Sequence, residues 1–205
     1  MSTLQETPVP MARPHDGFDV FRADTYALLG SLLAAPPEQR LLDWLAELET
    51  DSEGGSRLAE AWDTLREAAS EAIAGQVLDE FNNLFIGLGK GEIVPYASWY
   101  KTGYLMEQPL VELRQDLRGL GLEADESTHE PEDHLAALCQ VMSLLVRPEE
   151  GYSAAQQSHF YMRHMHDWCG RFFKDLQHCP SARFYRAVGV FGVTFSGTES
   201  LRFEA

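Results

Sequence analysis

Apolar residues along this chain recur every three or four positions, the spacing of one face of an α-helix. Phe18, Phe21, Leu28, Leu29, Leu32 and Leu33 make a first stripe, which Pro36-Pro37 ends. Leu41, Leu42, Trp44, Leu45 and Leu48 make a second. After a polar loop at 51–55, Ser56 is placed to cap a third helix running through Ala74, which Gly75 closes. A fourth covers residues 77–86, with Phe81, Leu84 and Phe85 on its inner side. The pattern breaks over 87–91 and again in the ring-rich stretch 93–100. It resumes from about Tyr104 to Leu120, with Pro109 as a kink or a fresh start, and Gly119 and Gly121 end it.

The next apolar run, Leu135, Leu138, Cys139, Val141, Met142, Leu144 and Leu145, follows directly on Glu130-Pro131-Glu132-Asp133-His134. Proline fits a first helical turn, where its missing N–H has no intrahelical partner anyway, and acids favour the positive end of the helix dipole. The segment therefore reads as a helix start crowded with acids and a histidine, serving binding, chemistry or local capping. Beyond a turn at 148–151, Ser153 caps a helix carrying Phe160, Tyr161, Met165 and Trp168, with Phe172, Phe173 and Leu176 continuing the apolar side. A last helix covers about 182–195. No segment alternates as a strand would, and no internal repeat appears. The expected fold is all-α, a single helical bundle. Its parts are a disordered tail at 1–16, an N-terminal helical group at 17–122, a hinge at 123–129 and a C-terminal group at 130–205.

The chain has 205 residues and 44% hydrophobic content, enough to bury a core. Sixteen basic residues against 32 acidic give a net charge of −16, which argues against general nucleic-acid binding and favours cationic partners. The same charge also keeps a protein soluble. Cys139, Cys169 and Cys179 form no disulfide framework, and the polar, proline-bearing N-terminus lacks an apolar signal region. No apolar run approaches the roughly 20 residues that span a bilayer. These features point to a reducing, cytoplasmic setting.

Four clusters carry candidate chemistry. The glycines at 87–91 lack a preceding strand and a Gly-Lys-Ser/Thr ending, so they read as a connector rather than a phosphate cradle. His159, His164, His166, Cys169, His178 and Cys179 are metal-ligand types, but without a CxxC or HExxH pattern they fit packed helices better. Asp133, His134 and Cys139 are poorly spaced for a catalytic set, because adjacent helical residues diverge by about 100°. The aromatic surplus is the strongest signal. Pro95, Tyr96, Trp99 and Tyr100 exceed what a bundle core requires, and rings with one polar handle suit a peptide-binding patch. Beside Glu130 and Asp133, such a patch suits a peptide with arginine and apolar residues, since arginine pairs with carboxylates and stacks on rings.

At these residues the chain resembles the TorD/DmsD family of cytoplasmic chaperones for molybdenum enzymes. Glu80-Phe81-Asn82-Asn83-Leu84-Phe85-Ile86-Gly87 is similar to the family's E-x-x-R-L-F-x-G, and Val94-Pro95-Tyr96-Ala97-Ser98-Trp99-Tyr100 to its P-P-[YW]-x-S-x-[YW]. Glu130-Pro131-Glu132-Asp133-His134 matches its E-P-x-D-H signature, and His166–Phe172 with Phe184–Ala187 adds a C-terminal match. The resemblance covers about residues 20–195. It implies an all-helical fold, no catalysis and no cofactor or metal of the chain's own. It also implies binding of the twin-arginine signal peptide and the apo-form of a molybdopterin oxidoreductase, delaying export until cofactor is loaded. Carried over, it assigns Phe81, Leu84, Pro95, Tyr96, Tyr100, Pro131, Asp133 and His134 to the peptide site. Trp99 and Glu130 join them from ring and charge content. Asn83 in place of the usual arginine and Val94 in place of a second proline are departures that bear on which enzyme is served.

Two other classes stand beside this reading. One is a metal-dependent hydrolase using His134 and the His164/His166 region. The other is a structural adaptor subunit. A hinge between helical groups permits a monomer or a domain-swapped dimer.

Overall fold

The computed structural model describes residues 16–49, 55–87, 91–123 and 130–204. The expected tail and the expected hinge, apart from Asp16 and Glu123, lie outside the described residues. Ten α-helices occur among them: α1 Asp16–Ala34, α2 Gln39–Ala46, α3 Arg57–Ser70, α4 Ala74–Phe81, α5 Ala97–Thr102, α6 Gln108–Gly119, α7 Leu135–Val146, α8 Ala154–His164, α9 Cys169–His178 and α10 Phe184–Glu204. A π-helical turn at Asn82–Ile86 extends α4, and a 3₁₀ turn at Pro148–Glu150 follows α7. Among the described residues the β-structure is one isolated antiparallel bridge, between Tyr96 and His134. The fold is all-α.

The helices on either side of 123–129 share one core. α1 lies along α7, and α10 packs on both α9 and α3. Tyr26, Leu29, Leu32 and Leu33 of α1 are buried with Leu138, Cys139, Met142 and Leu145 of α7. The approach of α9 to α10 requires glycine: a Cβ at Gly189 would lie 2.6 Å from the Gln177 backbone nitrogen. Phe18 and Phe21, expected in the α1 core stripe, are instead exposed. With Trp44 and Trp62, Phe21 lines an open apolar groove of about 380 Å³ where α1, α2 and α3 meet.

Several helix ends differ from the periodic reading, each for a local reason. Ser56 caps α3 as expected, accepting from Ala59 N–H at 3.1 Å. That helix stops at Ser70, however, and Ala74 starts α4, its N–H donating to Gln39 Oε1 at 2.9 Å. Ser153 and Gln156 form a reciprocal capping box on α8. α6 begins afresh at Gln108 with Pro109 in its first turn. α10 runs to Glu204, well past the expected end near Phe195.

Buried carboxylates join distant parts of the chain. Glu80 accepts from the N–H groups of Arg183, Phe184 and Tyr185 at 2.7, 3.1 and 2.8 Å, capping α10 from α4. Glu199 of α10 takes both Nε and Nη2 of Arg22 at 2.8 and 2.7 Å, and the Tyr26 hydroxyl at 2.9 Å. Arg22 and Glu199 are each 1% exposed, and Arg22 Nη1 also donates to Asp19 Oδ1 at 2.8 Å, so Glu199 left alone would be an uncompensated charge inside the bundle, whereas Arg22 left alone would keep one partner. Arg22→Met is expected to cost about 3–5 kcal/mol, lowering the urea midpoint without changing the slope. Replacing Arg22 and Glu199 together by Met is expected to cost less than the loss of Arg22 alone, because no buried charge is orphaned. Urea unfolding followed by circular dichroism checks both.

Candidate functional site

The centre of the site is a two-segment clasp. Residues 95–98 lie antiparallel to 133–135. Leu135 N–H donates to Pro95 O at 2.8 Å, and Ala97 N–H donates to Asp133 O at 3.0 Å. The Asp133 carboxylate accepts from Ser98 N–H at 2.8 Å, capping the start of α5 from across the clasp. That trans cap makes 97–102 helical, where the sequence pattern shows only a loop. Asp133 is 1% exposed, so its carboxylate holds the clasp and is not presented to a ligand.

His134 is the residue before α7, not part of its first turn: the helix begins at Leu135. Its Nδ1 accepts from Ala136 N–H at 3.0 Å. The three acids therefore sit in a turn ahead of the helix, closed by His134 N–H donating to Pro131 O at 3.0 Å. Of the three roles open to this histidine, the geometry shows capping. Its ring meets Tyr96 edge-on, with centroids 5.0 Å apart. Burial lowers the His134 pKa, against the opposing pull of Glu130 and Asp133. Tyr96 donates its hydroxyl to the exposed Glu130 carboxylate. Burial, then that bond, pushes the Tyr96 hydroxyl pKa well up, so it stays a donor.

The expected site residues divide into a surface and its support. Tyr96, Glu130, Pro131 and His134 come together at the surface. Tyr100 turns the other way, donating to Asp175 Oδ2 at 2.8 Å and packing on Trp168 and Phe172 of the α9 region, with ring centroids 5.3 and 6.1 Å away. The Arg171 guanidinium lies over its ring at 5.7 Å. Trp99 is half-buried on α5. Pro95 is buried in the clasp. Phe81 and Leu84, expected to touch a ligand, are 6% and 0% exposed and belong to the core. Phe81 packs on Phe85 and Tyr185, with centroids 5.0 and 5.9 Å away. Leu84 supports the clasp through its carbonyl, which accepts from Ile93 N–H at 2.8 Å. Gly91 permits that approach, since a Cβ there would lie 2.5 Å from the same carbonyl oxygen.

Two contributors were not singled out from sequence. Glu92 accepts from Cys179 Sγ at 3.0 Å and Ser181 Oγ at 2.6 Å, tying the clasp to the α9–α10 turn. Arg114 of α6 donates Nε and Nη2 to Glu132 at 2.8 and 2.7 Å. Their partners are distant in sequence, so no local pattern marks either.

His134, His164 and His166 do not converge. His164 Nε2 pairs with Asp116 Oδ2 of α6 at 2.8 Å, while His166 meets Asp167 at 3.1 Å and Glu204 of α10 at 2.9 Å. His134 faces Tyr96. The three rings thus serve three separate contacts rather than the joint site a hydrolase needs. The three cysteines are buried and free.

The family model described as nitrate reductase delta subunit matches residues 52–174. The chain is 23% identical over 205 residues to a chaperone protein TorD of Vibrio parahaemolyticus, covering 89% of this chain and 94% of that protein. It is 28% identical over 201 residues to the TorD of Aliivibrio fischeri, covering 87% and 92%. A solved structure from Archaeoglobus fulgidus, described as a redox enzyme maturation protein, matches with a TM-score of 0.53 at 16% identity, over 98% of this chain and 100% of that one. At that identity the likeness supports the fold.

The clasp generates two expectations. Asp133→Ala removes the α5 cap and should cost about 1–2 kcal/mol in urea unfolding. The second concerns pH. In the unfolded chain His134 titrates near about 6.5, and in the folded chain lower. The unfolded state therefore binds more protons below about 6.5, and this group's contribution to stability falls as pH drops through that range. His134→Asn keeps a capping side chain and removes the titration. The stability of wild type relative to His134→Asn should decline from about pH 7.5 to about pH 5.5, as checked by urea unfolding of both across that range.

Proposed function

The chain belongs to the TorD/DmsD family, through its match to the nitrate reductase delta subunit model, and on that premise we propose that it binds the twin-arginine signal peptide of a molybdopterin oxidoreductase. It is a maturation chaperone and not an enzyme, as its TorD relatives are chaperones. In the proposed role it works in the cytoplasm, holds the apo-form of its client, and delays export until the cofactor is inserted. No helix among the described residues is long and apolar enough to cross a membrane.

One observation carries the reading. An exposed carboxylate, Glu130, sits on the rim of an aromatic pair, Tyr96 and His134, held rigidly by the clasp beneath. A guanidinium is planar, pairs with carboxylates through two N–H groups and lies flat on rings, so this surface offers both halves of what arginine binds. The net charge of −16 adds a long-range field that draws in basic segments and makes their capture salt-sensitive. A rigid platform also spares the entropy of ordering the receptor on binding.

Titration calorimetry with a synthetic Arg-Arg signal-type peptide tests this. Glu130→Gln and Tyr96→Ala should each weaken binding about tenfold, in line with the loss of a charge-assisted contact or a stacking face. Raising salt from about 50 to about 300 mM should weaken the wild type more than Glu130→Gln. Unchanged affinity in both variants would remove this surface from the reading.

A further inference from the structure

Phe18 and Phe21, the two rings that leave the α1 core stripe, mark a surface that the described residues leave open. They are 47% and 39% exposed. They lead down α1 into the apolar groove of about 380 Å³ where α1, α2 and α3 meet. Leu28 lines the far part of that groove, and Trp44 stands in its wall at 51% exposure. Trp62 joins the groove to the core: its ring centroid lies 6.1 Å from that of Phe21 and 4.3 Å from that of the buried Phe191. Two carboxylates, Asp24 and Glu49, also line the groove. Asp24 is already held by Arg147 at 2.8 Å, which leaves the exposed Glu49 as its uncancelled charge. None of these residues belongs to the clasp, so the groove is a separate surface.

We infer that the chain's own Pro8-Val9-Pro10-Met11 seats in this groove, folding back along α1. Position favours it first. The open strip begins at Phe18, two residues past the point where residues 1–15 join α1 at Asp16. Reach agrees. A helix rises about 1.5 Å per residue, which sets Phe21 and Leu28 about 7.5 and about 18 Å along α1 from Asp16. An extended chain covers about 3.1 Å per residue, so Met11 and Pro8 lie within about 12 and about 22 Å of His15. A reversal at Pro14-His15 therefore brings 8–11 beside the groove. Chemistry agrees as well. Prolines at 8, 10 and 14 favour the extended polyproline form, which aromatic-lined grooves accept, and Val9 and Met11 supply apolar side chains. Residues 7–15 hold no acid and one arginine, so the segment sets no carboxylate against Glu49. The other nearby stretch, Thr-Asp-Ser-Glu-Gly at 50–54, would set two acids there and brings no large apolar side chain. Seated in this way, the segment covers Phe21 and Trp44 and keeps the groove from apolar segments of other chains.

The test uses the full chain with carbon-13 methionine methyls, read by NMR. The Met11 methyl should be moved upfield by the groove's rings, show a through-space contact to the Trp44 indole, and keep both features on dilution. Trp44→Gln, a change at an exposed position, should return the Met11 methyl to the shift it has in urea. A dye-labelled peptide of residues 7–14 is then added and its binding followed by fluorescence anisotropy. It should bind a full-chain Val9→Asp, Met11→Asp variant about tenfold more tightly than wild type, where the tethered segment competes at an effective concentration in the millimolar range. A wild-type Met11 methyl at its urea shift would overturn the proposal. A response of the Trp44 indole to the Arg-Arg signal-type peptide in that case would assign the groove to the client instead. Equal binding of the 7–14 peptide to both chains would also overturn it. A Met11 methyl that returns to its urea shift on dilution, while the mass by light scattering falls, would assign the groove to the tail of a second copy and overturn docking within one chain.

Discussion

A carboxylate with 1% of its surface exposed must find hydrogen-bond donors inside the protein or lose its charge, and Asp133 finds one in the backbone of a segment 35 residues earlier. Much of the site's geometry follows from that requirement. The bond to Ser98 N–H, with the flanking Ala97–Asp133 and Pro95–Leu135 bonds, fixes the register of 95–98 against 133–135. Register decides which side chains face each other. A slip of one residue would turn Tyr96 away from His134 and part its hydroxyl from Glu130. The exposed Glu130 and the half-buried Tyr96 and His134 are thus positioned by a buried carboxylate.

Other acids, the buried Glu80 and the exposed Glu92, also join distant segments. Glu80 takes the first free N–H groups of α10, and Glu92 takes a thiol and a hydroxyl from the turn leading into it. Glu80 and Glu92 flank the π-helical turn at Asn82–Ile86, whose Leu84 carbonyl receives Ile93. The path from α4 through the clasp to α7 is therefore held by polar links at nearly every step, although it lies beside an apolar core. In a bundle, side-chain packing tolerates small slides of one helix on another, whereas directed hydrogen bonds to backbone do not. A binding platform assembled from a loop and two helix ends gains its rigidity from those bonds.

The helical nature of the fold was legible because burial imposes a 3.6-residue period on each element, and Ser56 and Ser153 announced their helices through local capping. What was not legible came from contacts between distant residues. Helix α5 has no periodic signature, since its start is capped by Asp133 rather than by a neighbour. The extent of α10 past Phe195 is hidden for a similar reason, since Glu199 in that stretch is held by Arg22 and Tyr26 of the distant α1. Phe18 and Phe21 fit the α1 stripe by spacing yet remain exposed, because periodicity records which residues share a face and not whether a partner covers it. At the site, Tyr96, Glu130 and His134 were identifiable as surplus rings and charge beside a turn. Phe81, Leu84 and Asp133 were identifiable as important, but motif membership does not distinguish a residue that touches a ligand from one that holds the residue that does.

That distinction governs how variants of this site read out. Loss of Asp133 releases the start of α5, and with it Tyr96, so binding falls through disorder of the platform rather than loss of a contact. Loss of Glu130 removes a charge from a surface whose backbone is fixed elsewhere, so in the proposed role binding falls while the fold stands. Both lie within the same five-residue signature, and a binding assay alone would rank them together. Stability separates them, because a buried carboxylate with backbone donors contributes to folding, whereas an exposed one bonded to a tyrosine hydroxyl contributes little. In the proposed role, the bundle carries its recognition chemistry on residues that folding scarcely needs, set on a frame of residues that contribute to folding.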